Sequence, residues 1–150
     1  MEEVAGEVAL VAAALNAAAG AYAGWRWWRV QPDRLTWVLV RTGQAALIVL
    51  AVAAGLWAIS GAPPESGLFY VYALVPVATS YFAEQFRALS AQAVLDARGL
   101  ADAQAVGRLP AGEQRSIVLQ IARREIGVVA LAALVNAFLA LRAVSEAGGL

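Results

Sequence analysis

The sequence predicts an all-α membrane protein: four transmembrane helices in an up-down bundle, with an amphipathic cytoplasmic helical segment between helices three and four. Three observations predict it. The chain of 150 residues is 61% hydrophobic and only 15% charged, whereas soluble domains run about 45–50% apolar and about 25% charged. Its mean hydropathy is +0.66. Its apolar residues gather in long runs, near the roughly 20 residues that a ~30 Å hydrocarbon core demands, and its basic residues fall between alternate runs. The length suits one integral membrane domain over residues 1–150.

The first span is expected over about residues 4–24. Ala and Gly dominate it, and Gly20 and Gly24 form a small-xxx-small pair. Small residues let helix backbones approach closely in lipid, either within one chain or between copies. The acidic start, MEEVAGEVAL, lacks the basic flank of a signal peptide, so this span is expected to be retained. Glu7 lies one turn inside it, where a carboxylate either snorkels to the surface or serves a function. Trp25, Trp27 and Trp28 then interleave with Arg26 and Arg29, the mark of a membrane–water interface. Gln31, Pro32 and Asp33 supply a turn.

The second span covers about residues 36–60, with Trp37 and Trp57 as anchors near its ends. Arg41 and Gln44 are three apart and share a helix face. Residues 61–67, Gly-Ala-Pro-Pro-Glu-Ser-Gly, cannot continue a helix and make spans two and three antiparallel neighbours. The third span, about 68–86, opens on Phe69, Tyr70 and Tyr72 and carries Pro76 in its middle. Proline removes a backbone donor, so a kink is expected there.

Residues 87–120 form the expected cytoplasmic excursion. Leu89, Val94, Leu95 and Leu100 are mixed with Gln92, Asp96 and Arg98, a half-apolar pattern whose apolar face needs a cover. That cover is the bilayer surface, the bundle itself, a second copy or another protein. Gly99 and Gly107 weaken the helix and Pro110 starts a new one. The fourth span covers about residues 122–142 around an apolar stretch of 126–141, followed by a frayed tail.

Orientation follows from arginine. Arg26, Arg29, Arg34, Arg41, Arg87, Arg98, Arg108, Arg115, Arg123 and Arg124 lie in or beside the two same-side loops, and only Arg142 lies opposite. The positive-inside rule then makes both loops cytoplasmic and puts both termini outside a bacterial-type cytoplasmic membrane.

Composition excludes much chemistry. The chain has no Cys and no His, which removes thiol nucleophiles, thiolate metal sites and the commonest general base. No Walker loop, nucleophile elbow, metal-ligand spacing or dinucleotide fingerprint occurs. No metal, cofactor or nucleic acid is expected, and the reading is non-enzymatic. Every basic residue is Arg, as a GC-rich genome favours and as bidentate grip on phosphate or carboxylate also favours.

Two sets of residues are candidates for function. Arg41, Gln44, Glu84, Arg87, Arg123, Arg124 and Glu125 share the depth of the cytoplasmic interface, with Arg41 expected to pair with Glu84 or Glu125. They suit a structural clasp or a basic pocket for anionic lipid headgroups. Asn16 and Asn136 are intramembrane amides expected to bridge helices from different depths. The function expected is association, as an accessory subunit of a membrane complex or a homo-oligomer. The competing reading is a small oligomeric transporter or channel for an ion or small anionic solute, lined by Arg41, Glu84, Glu125, Asn16 and Pro76.

Overall fold

The computed structural model describes residues 2–31, 33–61, 64 and 66–148. The turn roles read for Pro32, and for Ala62, Pro63 and Glu65, lie outside the described residues. The described chain is helical, with no strand: α1 (Glu2–Arg29), α2 (Arg34–Ile59), α3 (Leu68–Ala97), α4 (Ala103–Gly107) and α5 (Ala111–Glu146). Each long helix packs on its neighbours in the order α1, α2, α3, α5 and back to α1, so α2 and α5 face each other only across the diagonal.

Three helices, α1, α2 and α5, are long and apolar enough to cross a membrane. Helix α3 has 30 residues, about 45 Å at 1.5 Å per residue, but Tyr70, Tyr72, Pro76, Thr79, Ser80, Glu84 and Gln85 dilute its apolar character. It is one helix through Pro76, which is buried.

Small residues set the closest helix pair. Ala5, Ala9, Ala12 and Ala13 of α1 are buried with Ala140, Ala143 and Val144 of α5, and Leu47, Leu50, Trp57, Phe69 and Ala73 complete that core. Trp57 and Phe69 meet edge to face at 4.9 Å between ring centres, the arrangement that aromatic quadrupoles favour. At Gly20 an added Cβ would stand 2.7 Å from Leu134 Cγ and 3.0 Å from the Leu134 backbone N. Gly20 therefore packs within one chain, while Gly24 has no atom within 4 Å of where a Cβ would stand. The α5 tail is not frayed up to residue 148: Val144 and Ala147 are buried in the core they share with α1.

The expected excursion over 87–120 is not a separate amphipathic segment. Helix α3 runs on to Ala97 and α5 starts at Ala111, so both continue past the bundle and pair with each other. Val94, Leu95, Val106 and Ile117 are buried together, with Leu100, Leu109 and Ile121 packed around them. Val94, Leu95 and Leu100 of the half-apolar face are thus covered by the chain itself, whereas Leu89 stays exposed. Gly99 does not weaken a helix interior but stops α3. It sits at φ 67°, and Leu100 N donates to Leu95 O at 3.0 Å, closing a Schellman turn whose flanking leucines join the hairpin core. Asp102 caps α4 by accepting from Ala105 N at 2.8 Å. Gln114 donates to Leu109 O at 2.7 Å and ties α5 to that turn.

The α1–α2 turn stops its helix in the same way with a less suitable residue. Gln31 N donates to Arg26 O and Val30 N to Trp27 O, both at 3.2 Å, with Val30 at φ 52°. A β-branched residue is strained there.

Candidate functional site

Arginines crowd the end of the bundle where α1 ends, α2 begins and the α3–α5 hairpin emerges. The fold divides them into two groups. On the α2–α3 side, Glu84 is gripped by three side chains. Arg41 forks onto it, with Nη1 3.0 Å from Oε1 and Nη2 3.2 Å from Oε2. Arg87, one turn on along α3, places Nη2 3.0 Å from Oε2. Gln44 donates to Oε1 at 3.1 Å and accepts from Arg41 Nη1 at 2.8 Å. Arg87 also lies over the Trp37 ring at 5.0 Å. The bidentate geometry is the stronger form of this pair.

The carboxylate that Arg41 meets is dictated by bundle order. Glu84 is on α3, adjacent to α2, whereas Glu125 is on α5, across the diagonal. Glu125 is half-buried and makes no ion pair with any described residue. Arg123 and Arg124 are likewise not brought into the clasp. They lie on the α1–α5 side, with Arg123 over the Trp27 ring at 5.2 Å. The group expected from shared depth is therefore divided: Arg41, Gln44, Glu84 and Arg87 meet between α2 and α3, and Arg123, Arg124 and Glu125 stay apart from them on α5.

The two buried amides bridge helices. Asn16 Nδ2 donates to its own helix at Ala12 O, 2.9 Å, and across to Gly43 O on α2, 3.0 Å. A Cβ on Gly43 would stand 3.0 Å from Asn16 Oδ1, so glycine there is what lets the amide reach the backbone. Asn136 Nδ2 donates to Ser80 Oγ on α3 at 2.9 Å, and its Oδ1 is buried with no partner. The two amides are not at different depths. Gly20 faces Leu134 and Gly6 faces Ala147, a register that puts Asn16 and Asn136 within one turn of each other. They stay apart because Asn16 faces α2 and Asn136 faces α3. The expectation of unequal depth came from taking the fourth span to end at residue 142, whereas α5 reaches Glu146. Glu7 is exposed on the second turn of α1 and has no partner among the described residues.

A network that the sequence reading did not assemble locks the α1–α2 turn. Asp33 caps α2, accepting from Thr36 N at 2.8 Å and Thr36 Oγ1 at 2.7 Å. Tyr22 donates to its other oxygen at 2.6 Å, and Arg26 Nε lies 3.1 Å from that oxygen. The Thr36 hydroxyl first, then the Tyr22 hydroxyl and the Thr36 amide, hold the Asp33 carboxyl down to about 2, against an ordinary 3.8. The Asp-x-x-Thr spacing before an apolar run was the legible signal. Tyr22 was not legible, because nothing local in sequence points its ring toward residue 33.

No known protein family, curated protein or solved structure matches this chain.

Proposed function

We propose that this chain is a four-span, non-enzymatic protein of a bacterial-type cytoplasmic membrane that acts by association, as an accessory subunit of a membrane complex or as a homo-oligomer. In this reading α3 is the fourth span, both termini lie outside, and the α3–α5 hairpin stands in the cytoplasm. The observation that carries it is the combination of a filled bundle and a folded projection. Leu47, Leu50, Trp57 and Phe69 occupy the interior at one end and Ala19, Val40, Val129 and Ala133 lower down, so the working surfaces are outside. The hairpin has its own core and is longer than the 2–8 residues that bundle connections need. The arginine distribution supports the orientation. At the opposite end Glu2, Glu3, Glu7 and Glu146 outnumber Arg142.

The test is the mass of the complex purified in mild detergent, with co-purifying proteins identified in the same preparation. A stable hetero-complex or a closed homo-oligomer is the expected result. A monomer with no protein partner would overturn the reading.

One observation favours the transporter alternative. Asn136, Ser80, Glu84, Gln44 and Arg41 form a polar seam from mid-bundle to the basic end, beside a lateral cleft lined by Gln44, Ile48, Val77, Ser80, Tyr81 and Glu84. Flux in liposomes that is abolished by Asn136→Leu, with the fold intact, would replace the association reading.

A further inference from the structure

The arginines outside the clasp sit beside a groove that the clasp does not use. A groove of about 540 Å³ runs along α5, lined by Gly24, Trp27, Ser90, Arg124, Gly127, Val128, Ala130, Leu131 and Leu134. Its lining is apolar except at one end, where Arg124 and Ser90 stand with the Trp27 indole. Arg124 and Leu134 are ten positions apart on one helix, about 15 Å along the axis, so the groove runs from the interfacial level into the apolar bundle. Gly24 leaves it open, and Gly127 seats the Trp27 indole at its wall. Nothing lies within 4 Å of a Cβ on Gly24, and a Cβ on Gly127 would stand 3.0 Å from Trp27 Nε1.

The polar end is a set of unspent donors. The Arg124 guanidinium, the Trp27 N–H and the Ser90 hydroxyl make no hydrogen bond or ion pair with any described residue. At the same level Arg29, Arg34 and Arg123 also lack a carboxylate partner, and Glu125, next in the chain, pairs with none of them. Arg124 is exposed, so what points to a ligand is complementarity: positive charge at one end of an apolar groove suits anionic oxygen at one end and hydrocarbon at the other.

We propose that this groove binds one anionic phospholipid, its phosphate at Arg124, Trp27 Nε1 and Ser90 Oγ and an acyl chain along Gly24, Gly127, Leu131 and Leu134. The site rests on the membrane-spanning reading given above. A free phosphate would use only the donors and leave the apolar length of the groove without a role, which is why a lipid is the occupant. The net positive edge selects a headgroup with net negative charge over a zwitterionic one.

The test uses the full chain in nanodiscs of mixed phosphatidylglycerol and phosphatidylcholine, followed by native mass spectrometry of the released protein. The unaltered protein retains phosphatidylglycerol preferentially. Arg124→Gln lowers that retention about five-fold, one basic contribution at a membrane surface, and Arg115→Gln, out on the hairpin, leaves it unchanged. Gly24→Leu starts from a Cβ with nothing within 4 Å, grows into the groove, and lowers retention without changing charge. If Arg124→Gln loses helicity by circular dichroism, Gly24→Leu decides alone. Equal losses for Arg115→Gln and Arg124→Gln would reduce the effect to diffuse attraction and overturn the site. So would displacement of the lipid by inorganic phosphate, or indifference to Gly24→Leu. Failure to enter the nanodisc overturns the membrane reading itself, whereas insertion without preference overturns only this site.

Discussion

The two arginine-rich edges of the bundle are built from the same residue type at the same level, yet they are chemically unlike. On the α2–α3 edge, Arg41 and Arg87 share Glu84, and Gln44 bridges Arg41 to the same carboxylate. On the α1–α5 edge, Arg123 has an aromatic ring and Arg124 has no partner among the described residues. The first edge commits both guanidiniums to one carboxylate that ties α2 to α3, and keeps the charge of one arginine in excess. The second keeps its charge and stands over a groove. Arginine at an interface is not one signal: a carboxylate on the adjacent helix ties it into the structure, and none within reach leaves it available.

The largest expected effect tests how tightly the second edge is anchored. Gly20→Ala drives a methyl into the Leu134 side chain and backbone and should cost about 2 kcal/mol, the range of overpacking in a close-packed contact. Gly24→Ala, one turn away over open space, should stay within about 0.5 kcal/mol of the parent. Thermal unfolding in detergent, followed by circular dichroism, measures both. Equal effects at the two positions would mean that α1 and α5 do not meet in this register.

A second pair of variants separates the edges directly. Glu84→Gln removes the charge that two arginines share and should destabilise by about 1–2 kcal/mol, the scale of charge-assisted hydrogen bonds. Arg124→Gln should leave stability unchanged while it alters lipid retention. The same melting experiment reads both, and a destabilised Arg124→Gln would erase the distinction between the two edges.

The smallest effect concerns the turn that joins them. The Asp33 carboxyl is more acidic in the folded chain, at about 2, than its ordinary 3.8. Its contribution is therefore complete above about pH 4 and is lost as the pH falls through about 2. Melting temperature should decline across that window, and Asp33→Asn should flatten the decline. A slope that is the same in both proteins would assign the acid sensitivity to other carboxylates.

Much of this molecule was legible because the membrane and the helix impose simple rules. Long apolar runs, tryptophans at their ends and arginines between alternate runs mark the helices and their boundaries. Pro110 before α5 and the glycine–proline stretch after α2 mark where helices cannot continue. Asp33 was read as a turn residue, and its role as the cap of α2 through Thr36 emerged only in the structure. Gly99 carried a stop signal that was taken for a weakness, since only the Schellman turn beside Leu100 tells a terminal glycine from an interior one.

What the sequence by itself determined is an all-helical chain with several long apolar helices, polar residues confined to particular levels, and a strong asymmetry of basic charge between its two ends. Those are properties of one helix at a time, and periodicity and composition carry them. The tertiary structure decided which residues meet. Bundle order put Glu84 within reach of Arg41 and left Glu125 on the diagonal. Helix register set Asn16 on Gly43 and Asn136 on Ser80 at nearly equal depth. The continuation of α3 and α5 into one hairpin selected the chain itself, among the four covers open to it, to bury Val94, Leu95 and Leu100 of the apolar face. Partnership between helices depends on rotation, register and adjacency, and none of these is encoded in the spacing of residues along a single helix.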